Sequence, residues 1–531
     1  MKYPKSCRQC RQSKRKCTRK GPGEPCDTCQ RRRLRCDGQM RSHSTANAPL
    51  IPSVPWKDPQ SSRTQSNPEK DTLSGLSRGI IVELVGHYLR AIHDKSHSLF
   101  HPPTLHSQIQ NGTIGKALLY AICAIGSKFS GNPDARALGP CLVARSKQLL
   151  LADLENICLE NLQTCILVAT LCAGNCTRGT EALFLRGIAH SMADIMSLDS
   201  PTPGDTIVVA ESKRRTWWSL FYSDRWCIYG LGLPCQMRDP PSTLSLPMDE
   251  KTFHNLRPDT DILDGPWQPG LWAQKLTLVQ FFIPILELNR LAAKHNTSSS
   301  ECELEVETLA QKLKNWEDSL PDYAQMSLGN LHKQQEKGLG GVLLTLHLVY
   351  HHYSILLFFR FLEDQKTDST VSRAYATRCK SHATMFNSLL RQSRQLKACE
   401  AVYPVVGHMV TVASAVLLHT LLFGDLDESR AARQELEENF EALLELTQYW
   451  PSVSKMIKRL TRFQNMCLLS TDSRPHQLDG WMVRFLIERA ISLTERHLDT
   501  TPSMPELESE VISSKAREFS QLGRFMNFKN S

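Results

Sequence analysis

Between Cys7 and Cys36 the chain reads CRQCRQSKRKCTRKGPGEPCDTCQRRRLRC. Its six cysteines form a duplicated unit: Cys7-x2-Cys10-x6-Cys17, an eight-residue loop, then Cys26-x2-Cys29-x6-Cys36. Closed structural zinc sites hold four tetrahedral thiolate or imidazole ligands. One ion would leave two of these cysteines unused. Two separate ions would need eight ligands, and no histidine precedes Gln39 to make up the number. Two thiolates shared between two ions would give four ligands to each, so ligand arithmetic points to a binuclear cluster. Each C-x2-C brings two sulfurs to one metal, and each x6 segment has room for about a turn and a half of helix. Pro25, in the loop Thr18–Pro25, stiffens the turn between the halves. Leu34 is the only large aliphatic residue of the module, so metal must supply most of its folding free energy.

Charge says what the module faces. Residues 1–41 contain 14 Lys and Arg against Glu24, Asp27 and Asp37, a net of +11, whereas the other 490 carry 49 cations and 51 acids. The x6 segments hold much of that excess, as Arg11, Lys14, Arg15 and Lys16 in the first and Arg31, Arg32, Arg33 and Arg35 in the second. Such density fits phosphate neutralisation, with some cations offsetting the thiolates. A zinc site that merely staples a small domain, and a redox C-x2-C, are the alternative readings of these cysteines.

The run resembles the fungal zinc binuclear-cluster transcription factors. That resemblance implies two zinc ions on Cys7, Cys10, Cys17, Cys26, Cys29 and Cys36, with Cys7 and Cys26 bridging. It implies a second short helix in the module, and a first one whose N-terminal turn enters the major groove over a CGG triplet of double-stranded DNA. Lys14 falls at the base-reading position, where a lysine can donate to guanine O6 and N7. Ser13 stands where relatives often carry a second basic residue. Arg11, Arg15, Lys16, Arg31, Arg32 and Arg33 are assigned to phosphates.

Residues 37–75 are rich in Ser, Pro, Thr and Asn, with five prolines between Pro49 and Pro68. They carry no apolar period and read as disordered. The expected organisation is a zinc module at 1–41, a disordered linker at 42–75 and an all-α regulatory domain at 76–531. No heptad coiled coil follows the cluster, which leaves homodimerisation and half-site layout open.

From Leu76 onward helical periods dominate: Ile81, Leu84, Val85, Tyr88 and Leu89 share one face, as do Leu185, Ala189, Met192 and Met196. Breaks are expected at Pro102-Pro103, between Pro201 and Gly204, and at Pro240-Pro241. Three patterns resemble the fungal-specific transcription factor domain: HSLFHPPTL (97–105), ESKRRTWWSLFYSDRWCIYGLGLP (211–234) and LLTLHLVYHHYSILLFFR (343–360). The likeness spans about residues 80–360. Phe361 stands where relatives often have proline, which leaves the end of the third helix open.

Several features have plainer readings. Trp217, Leu220 and Phe221 share a helical face and are expected in the core rather than stacked on bases. His347 and His351 are four apart but lack the glutamate of a zincin motif. Gly230-Leu-Gly232 lacks the third glycine of a dinucleotide loop. The uncharged stretch 401–424 is long enough to span a bilayer, yet reads as a buried core helix. The acidic run Asp425–Glu445 reads either as an amphipathic helix or as a segment recruiting transcription machinery. No apolar segment follows the basic start of the chain, so a secretory signal is not expected, and the 18 cysteines are expected reduced.

No nucleophile elbow, phosphate loop or zincin motif is present, so no enzyme is expected. The resemblance implies a nuclear, zinc-dependent regulator of RNA polymerase II transcription, an activator of a metabolic gene cluster such as a secondary-metabolite cluster. A small-molecule effector is a possible partner, and no membrane is. The alternative is a co-regulator that acts mainly through its helical domain.

Overall fold

A computed structural model describes residues 10, 16–18, 26–32, 76–175, 179–200, 202–230, 235–260, 265–295, 300–366, 370–469 and 478–488. The chain divides into two compact units, Met1–Asp71 and Thr72–Ser531. Among the described residues the first unit contains one short helix, α1 (Asp27–Arg31), which begins directly after Cys26. The helix expected after Cys10, and the linker, fall on residues outside the described set.

The second unit is built of helices, with no strand among its described residues. Its first half holds α2 (Arg78–Ala91), α3 (Pro102–Asn111), α4 (Lys116–Ser127), α5 (Pro133–Ala137), α6 (Gly139–Ala152), α7 (Leu159–Gly174), α8 (Gly179–Ile195), α9 (Ile207–Tyr229) and α10 (Glu250–Asn255). Its second half holds α11 (Leu271–His295), α12 (Ser300–Asp318), α13 (Leu328–Glu336), α14 (Gly340–Phe358), α15 (Thr370–Gln395), α16 (Pro404–Phe423), α17 (Leu426–Tyr449), α18 (Val453–Leu469) and α19 (Gly480–Leu486).

Local chemistry sets these boundaries. Ser77, Ser327, Asp425 and Asp479 accept backbone N–H groups at the starts of α2, α13, α17 and α19. Pro102-Pro103 opens a helix rather than only breaking one: Pro102 takes the first helical position, where its missing N–H is harmless, and the His101 ring caps Thr104 N. The helix ends on Gly112 at φ 68°, a left-handed position glycine adopts without penalty. Pro240-Pro241 lies in the irregular segment between α9 and α10.

The core is layered around two helices that have no polar face. All 19 residues of α14 are buried, and so are 17 of the 20 in α16. Helices apolar on every side must be surrounded. Here α14 packs on α11, α13 and α15, and α16 packs on α15, α17 and α18. Among the described residues three helical stretches are long and apolar enough to cross a membrane: Leu271–Lys294, Gly340–Leu362 and Pro404–Phe423. Their apolar surface is spent on neighbouring helices, most completely in α14 and α16. After Phe358 the chain tightens into a 3-10 segment (Phe359–Lys366), which sets the end of the third family-like pattern.

In the first half, α2 packs on α4, and α4 on α6 and α7. The α2–α4 crossing is close enough that a Cβ on Gly126 would lie 1.9 Å from Leu84 O. The expected faces are buried as read. Leu84, Val85, Tyr88, Leu185, Ala189 and Met192 are in the core, with Ile81, Leu89 and Met196 half-buried against it.

Candidate functional site

Among the described residues of the first unit, the buried cluster consists of sulfur-bearing residues. Cys10, Cys26 and Cys29 are buried, with Cys17 packed against them. The sulfurs of Cys10, Cys17 and Cys26 all lie within 4.8 Å of one another, and Cys10 Sγ is 3.5 Å from Cys26 Sγ. A disulfide would hold two sulfurs about 2.05 Å apart. Thiolates on one tetrahedral zinc, with Zn–S about 2.3 Å, sit about 3.8 Å apart. The spacing is that of a metal-thiolate site, so the residues present fit zinc. Two hydrogen bonds join the halves of the duplicated sequence: Asp27 N donates to Thr18 O at 3.0 Å, and Thr28 Oγ1 to Lys16 O at 3.0 Å. Around this sulfur core Lys16, Arg31 and Arg32 are exposed. Cys7, Cys36, Arg11, Lys14, Arg15 and Arg33 lie outside the described residues.

In the second unit, two of the family-like patterns meet in one buried ionic network. The turn after α2 holds Asp94 at φ 61°. One of its carboxylate oxygens accepts Ser98 Oγ–H at 2.6 Å and lies 3.1 Å from His93 Nδ1; the other is 3.2 Å from His254 Nε2. Burial alone would raise the Asp94 pKa, but His93 and His254 hold it well below the usual carboxylate range. From α9, Arg215 donates from Nε to Glu211 Oε1 at 2.8 Å, from Nη1 to Ser98 Oγ at 2.7 Å and from Nη2 to Met248 O at 2.6 Å. Its Nη1 also lies 3.5 Å from Asp94. Arg215 thus ties HSLFHPPTL to the RRTWW segment. Nearby, Lys275 donates to Lys95 O, and Lys95 Nζ to Arg90 O and Glu400 O. Burial lowers Lys275 to about 7, Lys95 to about 8 and His97 to about 3.

His93, Asp94 and His254 also sit close enough together to hold a metal. Hydrogen bonding argues against that use. His93 Nε2 accepts N–H from both Leu99 (3.1 Å) and Phe100 (3.0 Å), so its ring proton sits on Nδ1 and points at Asp94. The nitrogen that would face an ion is the protonated one, and a guanidinium already occupies the carboxylate. The network is a structural clamp.

Trp217, Leu220 and Phe221 are buried, with Trp217 stacked on Phe221 at 5.3 Å. His347 Nε2 lies 2.8 Å from Ala324 O, while His351 Nδ1 lies 2.9 Å from His382 Nδ1, so the two histidines serve different partners. Asp224 accepts the N–H groups of Gln236 and Met237, and Arg225 donates to Met237 O, which fixes the segment after residue 234. The acidic run forms α17, with Leu436, Phe440 and Leu443 buried. Its acids face cations of α15: Glu428 with Lys380, Glu438 with Arg391, and Glu441 and Glu445 with Arg394. An acidic stripe engaged in this way is a packed amphipathic helix.

Residues 85–318 match the fungal specific transcription factor domain. An uncharacterized transcriptional regulatory protein of Schizosaccharomyces pombe is 22% identical over 91% of this chain and 57% of its own length. The Zn(2)-C6 fungal-type transcription factor FTF1c of Fusarium oxysporum f. sp. lycopersici is 22% identical over 73% of this chain and 46% of its own. A second uncharacterized transcriptional regulatory protein of S. pombe is 24% identical over 65% and 59%. The chain spans about half the length of these relatives. No solved structure matches it. These likenesses, to transcriptional regulators rather than enzymes, support a fungal transcriptional regulator.

Proposed function

We propose that the chain is a nuclear, sequence-specific DNA-binding regulator. In this reading residues 1–41 form a two-zinc reader, 42–75 a linker and 76–531 a helical regulatory domain. The observation that carries it is the gathering of the Cys10, Cys17 and Cys26 sulfurs, with exposed Lys16, Arg31 and Arg32, inside the segment that holds the excess positive charge. Zinc supplies folding free energy to a module without an aliphatic core, and holds its thiols as thiolates. The protein's own cations do the rest. Arg11, Arg15, Lys16 and Arg31–Arg33 neutralise phosphates and set orientation, while Lys14 reads a guanine edge of a CGG-type element. Activation of a metabolic gene cluster through the transcription machinery belongs to the same proposal.

The test is selection of random duplex DNA by the zinc-loaded full chain at physiological salt, with and without a chelator. CGG-containing sequences should be enriched, and chelation should abolish the enrichment. Lys14→Ala should weaken specific binding by about 1–3 kcal/mol, roughly 5- to 150-fold. Recovery of no sequence motif, or of one indifferent to chelation, would overturn the proposal.

A further inference from the structure

Between α7, α8, α9 and the N-terminal turns of α16 and α18 lies a cavity of about 210 Å³, partly open to solvent. Its wall is mostly apolar: Ile166, Trp226, Val453 and Met456 contribute side chains, with the Tyr222 ring beside Trp226. None of the 20 residues that line it is Asp or Glu, whereas Arg186 and Lys455 do. The electrostatic sign of the cavity is therefore positive.

Arg186 is the informative residue. It is 7% exposed, and among the described residues its guanidinium makes a single hydrogen bond, from Nη1 to Ser223 O at 3.3 Å. No carboxylate of a described residue pairs with it, in contrast to Arg215, which is buried and fully engaged. A guanidinium has five N–H donors, so most of those of Arg186 are left for water or a ligand in the cavity it lines. His97, also in the wall, uses Nε2 on Tyr88 OH at 2.9 Å, and its Nδ1 has no partner among the described residues. Burial keeps the ring neutral, so Arg186 is the deep positive charge of the cavity.

We propose that this cavity binds a small monocarboxylic acid, its carboxylate on Arg186 and its aromatic or branched apolar body against Ile166, Trp226, Val453 and Met456. The planar fork of arginine matches a carboxylate through two parallel N–H···O bonds. Size follows from the volume. A dry cavity of about 150 Å³ accepts benzene, so about 210 Å³ accepts on the order of eight to ten non-hydrogen atoms. The ligand would tie α8 and α9 to the starts of α16 and α18, elements that meet around the cavity. Its regulatory sense rests on the transcription-factor reading, whereas binding itself is measured without DNA.

The experiment uses the zinc-loaded full chain and three probes of nearly one shape: phenylacetate, phenylacetamide and 2-phenylethylamine. Dissociation constants come from ligand-detected NMR. Phenylacetate should bind, the amide should bind about 10- to 100-fold more weakly, and the amine more weakly still. Arg186→Gln should erase the preference for acid over amide while leaving amide binding within about threefold, and Arg186→Lys should keep part of the preference. If Arg186→Gln does not fold, Ala182→Phe fills the cavity from α8 and should abolish binding of all three probes. Equal binding of the three by the unaltered chain, or none at millimolar concentration, overturns the proposal. So does an acid preference that survives Arg186→Gln. DNA selection on the same preparation separates such a failure from a failure of the transcription-factor reading.

Discussion

Replacing Arg215 by methionine removes the centre of the buried network while keeping much of the side chain's apolar stem. In the native domain this guanidinium satisfies Glu211, Ser98 and Met248 O and lies 3.5 Å from Asp94, with its side chain fully buried. Without it two carboxylates stay buried: Glu211 loses a directly bonded guanidinium, and Asp94 loses the one 3.5 Å away. Glu211 would keep Arg214 and Met248 N, and Asp94 would keep His93, His254 and Ser98. Breaking a buried pair from one side costs about 3–5 kcal/mol. Methionine fills most of the vacated space, so the cavity contribution is small. Against a typical net stability of about 5–15 kcal/mol, the loss should move the urea midpoint, read by far-UV circular dichroism, without changing the slope of the transition. The double variant Asp94→Asn with Arg215→Met separates charge from packing, because asparagine tolerates the left-handed backbone at residue 94. Its loss should fall short of the sum of the single losses by at least about 1 kcal/mol. A single-variant loss below about 1 kcal/mol, or strict additivity, would refute the assignment of Arg215 as the clamp.

Glu250 accepts Leu271 N and Trp272 N at the start of α11, and burial raises its pKa to about 7, against the pull of Arg215 and the Trp272 N–H. A carboxyl raised in the folded state contributes stability that is full below its unfolded pKa of about 4.5 and lost as pH rises through about 7, by about 3 kcal/mol. Glu250→Gln should flatten this part of the pH–stability profile between pH 5 and 8, and an unchanged profile would remove Glu250 as its source. Gly126→Ala should destabilise by about 1–3 kcal/mol, because its Cβ meets Leu84 O. Gly86→Ala, in open space on α2, should stabilise by up to about 1 kcal/mol; thermal melts giving the same sign for both would contradict the close α2–α4 crossing. Arg394→Glu, at the half-exposed α15–α17 rim, should cost about 1 kcal/mol at low salt and less at high salt; a salt-independent loss would argue against an ionic origin.

Helical periodicity and apolar runs were legible in the sequence because each is a local property. A helix without a polar face, such as α14 or α16, can only be central, and the stretch 401–424 declared that by carrying no charge. The cysteine spacing was legible for a similar reason, since metal geometry constrains ligands close in sequence. What could not be read was pairing at a distance. Asp94, Arg215 and His254 are ordinary polar residues until a turn, α9 and α10 bring them together, and no local pattern encodes that meeting. The acidic run had two readings in sequence because its cations lie on α15, about 50 residues earlier. Arg186 carried one faint signal, an arginine placed four residues after Ala182 and three before Ala189 on a small-residue face. Small neighbours leave room, and a charge set among them has a partner that is either another element of the chain or a ligand. The four arginines buried among the described residues divide on that point: Arg215 and Arg225 find carboxylates, Arg459 finds the carbonyls of Arg484 and Phe485, and Arg186 finds a cavity.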